Sequence, residues 1–411
     1  MTSQPALAPT QERQRYLILD ALRGFALLGI CMANLPEFAL WIFMSAADQQ
    51  AIPHAGADPL VRFLQFFFID AKFYTIFSLL FGIGFSLILE RALAKGVAGV
   101  RLFYRRMLLL VLIGLLHIWL LWSGDILLLY ACMGLLLPLF AGCSDRRLLQ
   151  WAAFLLLLPI VLDAVGDVSG IDWGKPLEAL WWQTAHAHGI DEQNFSTYLR
   201  DADSYAAVFQ FLIQGFVERM WEFVEGHRVP KVLAFFLLGY VAGRRRWYAR
   251  VAEWQCPSRF WQAVWLFVSL SFSWLYAWSA LNGHPLGRAV HGVFYLLSAL
   301  SMSGIYIVLF CRLQQRCPSS PVLRWLAAPG RMALSNYMGQ SIVGILLFYG
   351  IGLGLGNRFS LLFVELTAVG IFIVQVVLST CWLSSFRFGP LEWVWRMLTY
   401  GKWLSLRKEP D

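Results

Sequence analysis

The chain is 411 residues long, 59% hydrophobic and 16% aromatic, with charged residues making up only 14%. That composition excludes a soluble globular domain. The formal net charge of +8 lies in connections between apolar runs and not on a soluble basic surface. It excludes nucleic-acid binding and fits contact with anionic lipid headgroups.

Apolar runs of roughly twenty residues, the length that crosses a ~30 Å hydrocarbon core, recur along the whole chain. In order they predict spans at 17–39, 72–90, 104–122, 125–143, 148–165, 230–244, 260–281, 289–312, 332–352 and 359–384. The first follows a polar, proline-containing tail and is followed by no small-residue cleavage site, so it reads as a retained anchor. The sixth is short and carries Gly239 and Gly243. Segment 206–225 is amphipathic, interrupted by Glu218, Arg219, Glu222 and Glu225. It belongs at the interface or packed against the bundle, because its charges argue against a lipid-exposed crossing.

The fold class is therefore all-α, a polytopic bundle of about ten spans with both termini on one side. Its parts are a tail over 1–16, a five-span bundle over 17–165, an outside segment over 166–229, a second five-span bundle over 230–384, and a basic, Trp-rich tail over 385–411. Basic residues set the orientation. They crowd alternate connections: Arg13 and Arg15; Arg91, Lys95, Arg101, Arg105 and Arg106; Arg146 and Arg147; Arg244 to Arg246; Arg312, Arg316, Arg324 and Arg331; and the C-terminal tail. The opposite connections hold acids, notably between Asp163 and Asp203. This places both termini in the cytoplasm and the 166–229 segment outside, with the lipid bilayer as the protein's first partner.

The seven cysteines are scattered over spans and loops with no CxxC, so neither a disulfide framework nor a zinc site is expected. No metal is expected either, since His54, His186, His188, His227, His284 and His291 lack ligand spacing; His186 and His188 fall on what reads as a solvated loop.

Polar residues inside spans either glue helices together or line a site. Asp20 and Arg23 lie three apart on one face of the first span, so they pair with each other or with a ligand. Asn34 lies about ten residues deeper. Asp70 and Lys72 open the second span from the other side, where Lys72 either snorkels to the interface or serves a site. The run HIWLLWSGDILLLY holds His117, Trp122, Asp125 and Tyr130 around a turn that makes an antiparallel hairpin. Asp125 starts the second helix of that hairpin, where it is either a plain cap or a functional acid. His117 needs partners on both ring nitrogens, as a packing residue or as a base. Asn34, Lys72, His117 and Asp125 fall at similar depth, a set suited to acyl transfer with His117 as general base, or to proton coupling in a carrier. Asn336 and Gln340 share a face of the ninth span, flanked by Ser335 and Ser341. They bind substrate or hydrogen-bond to a neighbouring helix. Beyond the last span, Arg387, Glu392, Trp393, Trp395 and Arg396 either anchor a helix at the headgroups or grip phosphates with stacked tryptophans.

The opening RYLILDALRGFALLGICMANL, the run DAKFYTIFSLLFGIGFSL, the HIWLLWSGDILLLYACMGLL hairpin, and the motifs GRMALSNYMGQ and SFRFGPLEWVWRMLTY together resemble the bacterial YeiB family of inner-membrane proteins. The opening is also distantly similar to the transmembrane acyltransferase group that includes heparan-α-glucosaminide N-acetyltransferase. That resemblance implies acetyl or acyl transfer from cytosolic acyl-CoA to an acceptor across the membrane, with dimers known in the group. It matches Asn34 to the group's functional Asn, and His54 is the histidine in the loop where the group carries its catalytic one. His117 is the competing candidate for the base.

Two readings follow. The first is an acyltransferase holding acyl-CoA on Arg105, Arg387, Trp393 and Arg396 and passing the acyl group to a hydroxyl or amine of a glycan, lipid or small metabolite. The second is a transporter or exporter whose translocation path the same polar residues line, which would favour inverted repeats with broken helices.

Overall fold

A computed structural model describes residues 16–94, 99–250 and 258–408. Arg13, Arg15, Lys95 and Cys256, with the tail before residue 16, lie outside the described residues. Helix α1 (Leu17–Phe38) is followed by two short helices, α2 (Ala46–Ala51) and α3 (Asp58–Leu64), and a π-helical turn at Gln65–Ile69 that leads into α4 (Lys72–Ala94). Next come α5 (Gly99–Leu120), α6 (Leu127–Leu136), α7 (Asp145–Ser169), α8 (Lys175–Ala187), α9 (Tyr198–Asp201), α10 (Tyr205–Glu225) and α11 (Arg228–Arg244). Helices α12 (Arg259–Leu281), α13 (Arg288–Arg316), α14 (Pro321–Arg331), α15 (Ala333–Phe348), α16 (Leu361–Ser385) and α17 (Pro390–Tyr400) complete the chain. Among the described residues there is no strand, only an isolated bridge between Phe386 and Arg407.

Local chemistry accounts for where these helices start. The Ser144 and Ser204 hydroxyls accept from the backbone of Arg147 and Ala207, each at 3.4 Å, capping α7 and α10. Prolines in the first turn open α8, α14 and α17, where a missing N–H costs nothing. Gly170 and Gly401, at φ +73° and +64°, terminate α7 and α17.

All ten apolar runs are helical. Among the described residues, seven helical segments are long and apolar enough to cross a membrane: Leu17–Phe38, Ala55–Ala94, Gly99–Leu120, Asp145–Ser169, Arg259–Leu281, Arg288–Arg316 and Leu361–Ser385. Leu127–Phe140 and Ala333–Phe348 are apolar but shorter, and α11 has 17 residues. The protein is thus an all-helical membrane protein.

One difference from the sequence reading concerns the segment between α7 and α11. His186 does not lie on a loop: it falls in the last turn of α8, which His188 caps, with Trp181 and Ala185 four apart on the helix's buried face. Of the two placements expected for 206–225, the structure shows the packed one: helix α10 lies against α8, α5 and α11, burying Val208, Phe211, Leu212 and Phe223.

Two helix crossings set the frame around the site. A Cβ on Gly24 would lie 1.8 Å from the Leu326 carbonyl oxygen, and one on Gly330 1.9 Å from that of Asp20. Helices α1 and α14 therefore touch backbone to backbone. Helices α4 and α11 do the same through Gly82 against Phe236 and Gly239 against Leu79, at 2.0 and 2.1 Å. Small residues at such crossings bring membrane helices close enough for van der Waals packing to hold them.

Candidate functional site: an arginine-lined cavity beside a buried histidine

A cavity of about 300 Å³ opens at the end of the bundle where both described chain ends lie, with Tyr16 and Tyr400 in its wall. Its polar part is lined by Arg23 of α1, Arg91 of α4, Arg106 of α5, Arg331 of α14 and Arg396 of α17. Its deeper part is apolar and reaches Ile30, Leu110, Ile126 and Tyr337. Arg23 and Ile30 are seven residues apart, about 10 Å along a helix.

Among the described residues that line the cavity, two carboxylates, Asp20 and Glu392, accompany these five guanidinium groups, and both are engaged. Asp20 accepts from Arg23 Nη1 at 2.6 Å. Glu392 Oε1 accepts from the Leu334 and Ser335 backbone N–H groups at 2.7 and 3.0 Å, and its Oε2 accepts from Ser335 Oγ at 2.5 Å. Glu392 thus caps α15 from α17, where a carboxylate suits the helix dipole. Burial nevertheless pushes its pKa above the ordinary carboxylate range, against those hydrogen bonds. Burial likewise pulls the Arg396 guanidinium below its usual value. The mouth therefore keeps an excess of positive charge. Trp395 stiffens it, donating from Nε1 to the Arg106 carbonyl at 3.1 Å while the Arg106 guanidinium lies 3.8 Å over its ring.

At the deep end Tyr337 separates the cavity from His117, with ring centroids 5.3 Å apart. His117 Nδ1 is 2.9 Å from Asp125 Oδ1, and its Nε2 is 2.9 Å from Ser341 Oγ. Asp125 Oδ2 accepts from the Leu128 backbone at 2.7 Å, so the acid caps the start of α6 and holds the histidine at once. All three side chains are buried, at 1%, 0% and 1% exposure for His117, Asp125 and Ser341. A carboxylate at Nδ1 fixes the proton there, which leaves Nε2 to accept from the Ser341 hydroxyl.

Residues 242–402 match the family model described as "Protein of unknown function (DUF418)". The chain is 31% identical to the uncharacterized protein YxaH of Bacillus subtilis (strain 168), covering 98% of this chain and 99% of that one. It is 26% identical to the uncharacterized protein YeiB of Escherichia coli (strain K12), covering 94% and 96%. A 39.9 kDa uncharacterized protein of Bacillus acidopullulyticus is 28% identical over 97% and 98%. This chain belongs to the YeiB family. No solved structure matches it. In this YeiB-family chain the DUF418 region supplies Arg331, Tyr337, Ser341, Glu392 and Arg396, while Arg23, Arg91, Arg106, His117 and Asp125 come from the preceding half.

The residues singled out in the sequence divide accordingly. Asp20, Arg23 and Arg396 line the cavity, and His117 and Asp125 form the buried pair. Asn34 is half-buried on the α1 face that carries Leu27 and Ile30, one turn beyond the cavity's deep end. Lys72 does not snorkel. It is fully buried, donates to the Phe66 carbonyl at 2.6 Å and lies 4.7 Å over the Tyr276 ring, beside the Tyr276–Asp70 hydrogen bond. It therefore belongs to a second polar cluster and not to the His117 group. His54 is exposed at positive φ, away from the pair.

Asn336 and Gln340 turn to α16: Asn336 Nδ2 donates to Ser379 Oγ at 3.0 Å and Gln340 Nε2 to Gln375 Oε1 at 2.9 Å. They glue helices and do not face the cavity. Arg105 is exposed and lies beside Gly401, so the neighbouring Arg106 takes the place expected for it. Arg387 is exposed, and Trp393 donates to the Leu404 carbonyl at 2.8 Å, tying the tail to α17. Sequence reasoning missed the site roles of Arg91, Arg106, Arg331, Tyr337 and Ser341. For Arg106 one signal was available: it stands next to Arg105, to which the sequence reading gave the acyl-CoA contact.

Proposed function

We propose that this chain is a membrane acyltransferase of the bacterial inner membrane, taking an acyl group from cytoplasmic acyl-CoA and passing it to a hydroxyl or amine on the far side. In this reading ten helices cross, with both termini in the cytoplasm, and the acceptor is a glycan, lipid or small metabolite. One observation carries it: a cavity that begins among five arginines and ends on Tyr337, against a buried, carboxylate-held histidine.

The chemistry fits that donor. Guanidinium groups pair with phosphate oxygens two at a time, and about 300 Å³ admits an acyl thioester and its pantetheine arm while the nucleotide stays at the mouth. Arg106 and Arg396, buttressed by Trp395 and Glu392, would hold phosphates. The apolar wall from Leu27 to Leu110 would take the arm and exclude water. His117, held by Asp125, would accept the proton released when a hydroxyl or amine attacks the thioester carbonyl.

Thermal shift on the detergent-purified protein tests the donor, because a ligand that binds only the folded state raises the midpoint with concentration. Acetyl-CoA or a longer acyl-CoA should raise it, Arg106→Ala and Arg396→Ala should weaken the shift, and Arg387→Ala should not. No shift with any CoA species at saturating concentration refutes the reading. The break at Met332 between α14 and α15 then favours a transporter, since broken helices mark carrier sites.

A further inference from the structure

His117 touches more than the acid that orients it. Its Nε2 faces Ser341 Oγ at 2.9 Å while its Nδ1 faces Asp125 at 2.9 Å, so serine, imidazole and carboxylate stand in the order that activates a hydroxyl for nucleophilic attack. The three residues come from α5, the start of α6 and α15, with Ser341 224 positions from His117 in sequence. Ser341 Oγ also lies 3.4 Å from the Tyr337 carbonyl, a longer alternative acceptor. The Tyr337 hydroxyl is buried beside the Ile126 backbone and makes no well-formed hydrogen bond among the described residues. A buried donor left so is costly unless a ligand uses it, and Tyr337 lines the cavity's deep end.

We propose that Ser341 is a catalytic nucleophile that carries the acyl group as a covalent ester, with His117 as its base, Asp125 as the positioning acid and Tyr337 as donor to the developing oxyanion. This rests on the acyl-CoA reading above for its donor, and replaces direct transfer by two half-reactions. In the first, Ser341 Oγ attacks the thioester carbonyl and its proton passes to His117 Nε2. The C–S bond breaks, the proton goes to the departing sulfur, and free CoA thiol leaves an ester on Ser341. In the second, the acceptor hydroxyl or amine attacks that ester, gives its proton to His117, and the Ser341 oxygen departs with it. Burial suits such an intermediate, since an ester shut away from water survives until the acceptor arrives.

Two probes on the full-length, detergent-purified protein separate this proposal from the donor assignment. A small alkyl fluorophosphonate, which needs no CoA site, should modify the peptide containing Ser341. Labelling should vanish in Ser341→Ala, fall ~10³-fold or more in His117→Ala, and slow by roughly 10²–10³ in Tyr337→Phe. Acetyl-CoA without acceptor should then add one acetyl group to the same peptide and release one CoA thiol per chain. Ser341→Cys, close in volume, should keep the acyl adduct and move it to sulfur, which guards against a Ser341→Ala protein that fails to fold. Fluorophosphonate labelling of Ser341 with neither acylation nor a CoA-dependent thermal shift supports the nucleophile and refutes the acyl-CoA donor. No adduct at Ser341 from either probe on folded protein overturns the proposal, as does wild-type acyl transfer by Ser341→Ala.

Discussion

Asp125 allows stability and chemistry to be separated by two substitutions at one atom position. Both its oxygens are occupied, Oδ1 by His117 Nδ1 at 2.9 Å and Oδ2 by the Leu128 N–H at 2.7 Å, and the side chain is wholly buried. Asp125→Ala strips two buried donors of their acceptor, at about 1–3 kcal/mol each, so the loss should be about 2–6 kcal/mol. Asp125→Asn keeps the shape and one acceptor oxygen. With that oxygen on the Leu128 N–H, the amide NH2 faces His117 Nδ1, which must become the acceptor. The ring proton then moves to Nε2, and Ser341 turns its hydroxyl to the Tyr337 carbonyl 3.4 Å away. Every buried group stays paired, so the stability cost should be only ~1 kcal/mol. The base, however, is gone, and turnover should drop by roughly 10⁴. A thiol-reactive dye monitors melting, since Cys31 and Cys311 are buried in the fold and become reachable on unfolding. Acyl-transfer or fluorophosphonate rates monitor the chemistry. The reasoning is refuted if Asn destabilises as much as Ala, or if Asn keeps the wild-type rate.

Gly330→Ala places a Cβ 1.9 Å from the Asp20 carbonyl oxygen. Backbone must move, so the protein should lose about 1–3 kcal/mol or more, read as a lower melting midpoint; an unchanged midpoint would contradict the α1–α14 contact. Arg106→Ala should weaken acyl-CoA binding about tenfold or more, as expected for a lost charged hydrogen bond, whereas Arg105→Ala, one position away but outside the cavity, should leave the Kd alone. Glu392 has a pKa raised by burial, so its contribution to stability is full below the ordinary carboxylate range and is lost as pH rises through the raised value. Wild type should therefore lose stability relative to Glu392→Gln as pH rises above the ordinary carboxylate range, and parallel melting curves for the two would show that this carboxyl does not titrate with the fold.

The helices were legible because crossing a bilayer demands an apolar run of about twenty residues, and nothing else in a chain writes so plainly. Helix α8 was not, because its buried face amounts to Trp181 and Ala185 within a segment rich in Gly, Asp and His. The hairpin gave His117 and Asp125 together, since a turn of a few residues leaves them no other arrangement. Ser341 could not be paired with them from spacing, as the two halves of the chain meet only in three dimensions.

The errors at the mouth have a sharper cause. Adjacent helical residues point about 100° apart, so of the pair Arg105–Arg106 one can line the cavity while the other faces away, and the sequence does not say which. The same rule put Asn336 and Gln340 on one face correctly, yet that face belongs to α16, where their hydrogen bonds to Ser379 and Gln375 act as glue. Ser341 follows Gln340 directly and points elsewhere, to His117. Periodicity therefore groups residues but does not say what a group faces. On α15 that difference divides two pairs: Asn336 and Gln340 hold the helix against α16, while Tyr337 and Ser341, each one residue further on, meet the cavity and the histidine. Glu392 caps the first turn of that same helix from the arginine-bearing α17. Anything bound at the mouth thus bears, through one carboxylate, on the helix that aims Ser341.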